Sequence, residues 1–136
     1  MPMKTKIAFF SSMPYDEVSF NEMNKNFGFN IRYYKEHLNE NNAILCKGAE
    51  VVCIFVNDEI NRNVIINLAQ NGTRLIALRC AGFNNIDLVA ASVKKILILT
   101  SKAVSSKMEH TESYSNSLLL KIFLGCFVID LISLTI

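Results

Sequence analysis

The sequence predicts an α/β domain: a flavodoxin-like, five-stranded, mainly parallel sheet with helices on both faces. Three observations predict it. Short apolar runs recur along the chain and alternate with amphipathic stretches, the pattern of a parallel α/β sheet. One run, residues 51–56, is uninterrupted and rich in β-branched side chains, as suits a strand buried on both faces. Glycines follow the amphipathic stretches, where a left-handed residue stops a helix.

Each element can be placed in order. Residues 7–11 form the first strand, and residues 15–27 a helix with Val18, Met23 and Phe27 at helical spacing and Gly28 as its stop. Residues 29–34 alternate and suit a second strand. Residues 41–47 make a short helix ended by Gly48, and 51–56 the third strand. The next helix covers 61–70, with Val64, Ile65, Leu68 and Ala69 as its inward stripe and Asn71-Gly72 as its stop. Residues 75–78 are the fourth strand, Asp87 caps a short helix through Leu88, Val89 and Ala91, and 96–99 are the fifth strand.

Composition bounds the function. At 136 residues and 51% hydrophobic, the chain has the length and apolar content of one well-cored domain. A net charge of +2, with basic and acidic residues interspersed, excludes the clustered basic face that nucleic-acid binding needs. Cys46, Cys53, Cys80 and Cys126 show no metal-ligand spacing, and Cys53 reads as a small buried thiol. No secretory pattern opens the sequence, so a reducing cytoplasm is expected.

The most informative string is Arg79-Cys80-Ala81-Gly82-Phe83-Asn84-Asn85-Ile86-Asp87, directly after the fourth strand. A strand ending in Ala-Gly and turning into Asn-Asn aims backbone N–H groups into the crevice beyond its carboxyl end. Open α/β sheets bind ligands there, and a row of main-chain donors suits a carboxylate. By itself this turn reads equally well as a well-formed loop. The whole string is more specific and resembles the substrate-domain loop of the D-isomer-specific 2-hydroxyacid dehydrogenases, in particular the fermentative D-lactate dehydrogenases. Lys6-Ile7-Ala8-Phe9-Phe10 with Tyr15-Asp16, residues 50–58, and Ile76-Ala77-Leu78 carry the same resemblance. It extends from about residue 4 to 91, frays to about 120 and then ends.

The resemblance implies a carboxylate of a small 2-hydroxy or 2-oxo acid held on the main chain of Ala81 and Gly82. It also implies an NAD-binding domain, which these residues do not supply. The five glycines (Gly28, Gly48, Gly72, Gly82, Gly125) are all isolated, so no Gly-x-Gly-x-x-Gly pyrophosphate turn exists. The family's catalytic arginine, glutamate and histidine lie beyond the matched stretch. Arg79 is therefore a strand-end structural arginine, and His110 marks a helix start or faces solvent. Lys102 stands where the family has a substrate-contacting tyrosine. The expectation is a truncated dehydrogenase with a substrate domain over residues 1–100 and a divergent tail over 101–136. It would have no cofactor of its own, no catalytic or metal residues, and no independent hydride transfer.

Two alternatives follow from the residues. A receiver-like signalling module would place Asp58 after the third strand and Lys102 after the fifth, but Ser11-Ser12 replace the paired acids that hold its divalent cation. The apolar stretch 118–136 has the length of a membrane helix. Lys121 and Asp130 oppose insertion, a mid-span charge costing about 2.5–3.5 kcal/mol. The tail is expected to pack loosely against the sheet, with a weak membrane anchor as the alternative.

Overall fold

The computed structural model describes residues 5–79 and 84–100, apart from the side chains of Met23 and Thr100. Five strands form one sheet in the order β2-β1-β3-β4-β5: β1 (Lys6–Phe9), β2 (Asn30–Tyr33), β3 (Val51–Ile54), β4 (Leu75–Leu78) and β5 (Leu97–Thr100). Every pairing is parallel, so the expected "mainly parallel" sheet is parallel throughout.

Strand alternation divides the core into two layers. Ile7, Phe9, Val51, Cys53, Leu75, Ala77 and Leu99 face one side, where Phe20 of α1 (Pro14–Asn24) meets them. Ala8, Val52, Ile54, Ile76 and Leu78 face the other. There they pack with Val64, Ile65 and Leu68 of α2 (Arg62–Asn71) and Ala91 of α3 (Leu88–Val93). Both faces thus carry helices. β3 and β4 are buried at every position, which accounts for their lack of polar alternation.

The Gly72 stop and the Asp87 cap are where the residues placed them, and Asn61, expected as the first helical residue of α2, is its N-cap instead. Asn61 accepts the Val64 N–H and Gly72 closes α2 at φ 96°, while Asp87 accepts the Ala90 N–H at the start of α3. Of the stripe on α2, Ala69 is only partly buried.

Other elements differ from expectation. α1 buries Phe20 against the Phe9 ring, centroids 4.6 Å apart, whereas Val18 is 72% exposed and Phe27 lies beyond the helix. Two residues apart on a helix are about 200° apart, so Val18 and Phe20 cannot both face the sheet. The helix stops at Asn24, whose side-chain amide both donates to and accepts from the Phe29 backbone. The short helix expected over 41–47 is a single 3-10 turn, Ala43–Cys46. β3 ends at Ile54, and Phe55 and Val56 lie 38% and 52% exposed in the turn beyond it. β5 starts one residue later than expected.

Among the described residues, no helix is long and apolar enough to cross a membrane. The expectations for the tail, including Lys102, His110 and residues 118–136, fall outside the described residues.

Candidate functional site

The carboxyl ends of β1, β3 and β4 converge on a crevice held by two buried charged side chains. Asp58, fully buried, accepts from three donors: the Leu38 N–H (2.6 Å) and Ser11 hydroxyl (3.0 Å) on Oδ1, and the Phe55 N–H (2.6 Å) on Oδ2. It thereby ties the exit of β1, the loop after β2 and the turn after β3. Its bond to Phe55 closes the turn after β3, and full burial makes it inaccessible to the phosphoryl donor that a receiver-like module would need. Burial pushes its carboxyl above the ordinary carboxylate range, against the pull of the Phe55, Leu38 and Ser11 donors and the nearby Arg79 charge.

Arg79 spans the crevice floor. Its Nη1 pairs with Asp16 at 3.1 Å, and its Nη2 donates to the carbonyls of Phe10 and Ser11. The guanidinium carbon lies 4.1 Å from the Phe9 ring centroid and 5.2 Å from that of Phe55. With 7% of its side chain exposed, Arg79 holds β4 against β1 and the start of α1, which is the structural role expected from its position.

Ser11 adopts a left-handed conformation, φ 54°, which is costly for a residue with a Cβ. Its N–H donates to the Glu36 carbonyl, and its hydroxyl meets His37 Nδ1 at 2.7 Å as well as Asp58. Serine, histidine and aspartate are in contact, but the order is wrong for nucleophilic catalysis. A catalytic histidine sits between the other two and accepts the serine proton, whereas Ser11 sits in the middle and gives its proton to Asp58. The hydroxyl then accepts from His37. This is a hydrogen-bonded tie between strand ends.

Ala81 and Gly82 lie outside the described residues, but both stems of their loop are described. At the entry, the Arg79 N–H donates to the Ile54 carbonyl at 3.0 Å. At the exit, the Asn85 amide donates to the carbonyls of Phe55 (3.0 Å) and Asp58 (2.8 Å). The Asn85 carbonyl accepts from the Ile60 N–H, and Ile60 and Ile86 form a parallel bridge. Both stems are thus fastened to the exit of β3. Asp16 as the partner of Arg79, His37, and the double donation of Asn85 were not legible in the sequence. The first joins residues 63 apart without a shared motif.

The turn from β1 into α1 does not fit a dinucleotide pyrophosphate. It runs Phe10-Ser11-Ser12-Met13-Pro14 without a glycine. Pro14 has no N–H, and the Met13 N–H is engaged by the Asp16 carboxylate, an anion already at the helix start. Elsewhere, Cys46 and Cys53 are both buried. Burial, with repulsion from Asp58 added, pushes the Cys46 thiol up to about 12, so it is protonated and unreactive at neutral pH.

Comparison with known proteins agrees with this architecture. The family model for the D-isomer specific 2-hydroxyacid dehydrogenase catalytic domain matches residues 7–113. A 2-hydroxyacid dehydrogenase homolog from Schizosaccharomyces pombe is 47% identical over 100 residues, covering 74% of this chain and 30% of that protein. The chain spans about 30% of the length of the curated relatives it matches. The apo structure of D-lactate dehydrogenase from Escherichia coli superposes with a TM-score of 0.69 at 35% identity, covering 77% of this chain and 37% of that one. The NAD-complexed D-isomer specific 2-hydroxyacid dehydrogenase from Lactobacillus delbrueckii ssp. bulgaricus has the same fold, with a TM-score of 0.66 at 21% identity over 81% of this chain and 35% of that one. With the family model matched over most of its length and the crevice at its strand ends, the chain belongs to the D-isomer specific 2-hydroxyacid dehydrogenases.

Proposed function

We propose that these 136 residues provide the substrate-side domain of a D-lactate-type dehydrogenase, working in the reducing cytoplasm. The domain holds the carboxylate of a small 2-oxo or 2-hydroxy acid on the main chain of Ala81 and Gly82. It performs no hydride transfer unaided, because NAD, which supplies the hydride chemistry in this family, finds no pyrophosphate turn in these residues. The observation that carries the proposal is the double fastening of the loop: Arg79 at one stem and Asn85 at the other are both bonded to the exit of β3.

The electrostatics favour weak binding. Arg79 is already neutralised by Asp16, so only neutral donors are left for a carboxylate. Each neutral donor contributes a net of about 0.5–1.5 kcal/mol, while immobilising even a small ligand costs several. Affinity therefore stays no tighter than about millimolar, which corresponds to roughly −4 kcal/mol.

Pyruvate titration followed by backbone amide NMR should move residues 80–85 and fail to saturate at low millimolar concentration. Calorimetry with NADH should show no stoichiometric heat, and pyruvate reduction should not exceed the uncatalysed rate. Micromolar saturation, shifts centred on Asp58, or turnover by this polypeptide alone would overturn the proposal.

A further inference from the structure

Along β1 and the edge strand β2, three cations surround one hollow. Lys6 opens β1, Arg32 lies on the adjacent edge strand β2, and Lys47 follows the 3-10 turn. With Asn30, Tyr34 and Leu45 they line a space of about 50 Å³, room for a few water molecules or for one oxoanion. The Lys6 ammonium folds over the Lys47–Ala49 turn, where a Cβ placed on Gly48 would lie 3.8 Å from its nitrogen. All three cations are exposed, and among the described residues none has a carboxylate within ion-pair distance. No acidic residue lines the hollow, and Glu50, just beyond it, makes no ion pair among the described residues.

Neutral donors add to the charge. The Tyr34 hydroxyl makes only a stretched 3.4 Å bond to the Leu45 carbonyl, and the Asn30 side chain has no partner among the described residues. Like charges gathered without a counter-charge repel one another, and an anion seated among them removes that repulsion. Arginine adds a planar fork matched to two oxygens of a tetrahedral anion.

We propose that Lys6, Arg32 and Lys47, assisted by Tyr34 and Asn30, form a binding site for a single phosphate group, separate from the substrate crevice. The group is supplied as inorganic phosphate or as a small phosphomonoester. The hollow is open to solvent, so the remainder of an ester would project outward.

The test is a titration of the full chain at constant ionic strength, followed by amide NMR and thermal unfolding. Inorganic phosphate and glycerol 3-phosphate are the probes, and chloride and pyruvate are the controls. Saturable shifts at residues 6, 30–34 and 45–49 are expected, with half-saturation at roughly 1–10 mM, the range for a few charge-assisted bonds at an open site. Affinity should fall as salt is raised, and the tighter of the two probes identifies the source of the phosphate. The triple variant Lys6→Gln, Arg32→Gln, Lys47→Gln should lose about tenfold or more in affinity. Its unfolding temperature without phosphate should be equal to or above that of the parent, since only repulsion is removed. Three results would overturn the proposal: equal phosphate response in parent and variant, equal response to chloride, or shifts centred on the carboxyl-end crevice.

Discussion

At the carboxyl ends of the strands, Arg79 and Asp16 are paired with 7% and 13% of their side chains exposed, and Asp58 is buried with three donors. Along the β1–β2 edge, Lys6, Arg32 and Lys47 stand exposed, with no carboxylate in ion-pair reach among the described residues. Both regions carry charge, but only one spends it internally. A buried charge must be compensated by the protein itself or the fold is lost, and once compensated it has little left for a ligand. An exposed cation is compensated by water, which a stronger anion can displace. The carboxyl end therefore has little charge left to offer a ligand, while the plainer-looking β1–β2 edge retains electrostatic pull.

The largest break in this contrast should come from Arg79→Met. It leaves Asp16 buried without its partner and should cost about 3–5 kcal/mol in urea unfolding. A cost below about 1 kcal/mol would mean that the pair is solvated and the contrast unfounded. Adding Asp16→Leu should recover much of the loss, because it removes the stranded charge.

A smaller effect is expected for Asp58→Asn. An amide has one acceptor oxygen where the carboxylate has two, so at least one of the Leu38, Phe55 and Ser11 donors loses its partner. The cost should be about 2–3 kcal/mol. The pH dependence sharpens the prediction. Because burial raises the folded-state pKa of Asp58, its contribution to stability is fully present below the ordinary carboxylate value and is lost as pH rises through the raised one. Asparagine does not titrate, so the gap between parent and variant should narrow as pH climbs from acid toward neutral. A gap that widens over that range would show the folded carboxyl to be ionised throughout.

Asn85→Ala should have a milder effect. It removes two neutral hydrogen bonds from the loop stem, for about 1–2 kcal/mol, and should spread the pyruvate-induced amide shifts beyond residues 80–85. Unchanged stability would show that the stem is held from β4 alone. The triple variant of Lys6, Arg32 and Lys47 should show the smallest effect, an unfolding midpoint unchanged or raised.

Much of the fold was legible in the residues because its causes are local. The apolar run of β3, the Asp87 cap and the Gly72 stop each act within a few positions, and each is present where periodicity and capping chemistry placed it. The errors arose where distant parts competed. Asn24 ended α1 early by binding Phe29, Phe20 displaced Val18 as the inward residue, and Asp58 drew Phe55 out of β3.

By itself, then, the sequence determined the alternating strands and helices and the family, since periodicity and contiguous motifs carry those. Tertiary structure alone decided which charges are spent. Arg79 meets Asp16 from 63 positions away, and Ser11 meets Asp58 from 47. Lys6, Arg32 and Lys47 share a hollow because β1 lies between β2 and β3 in the sheet. Nothing in the spacing of those residues records the strand order, and strand order determines which side chains become neighbours.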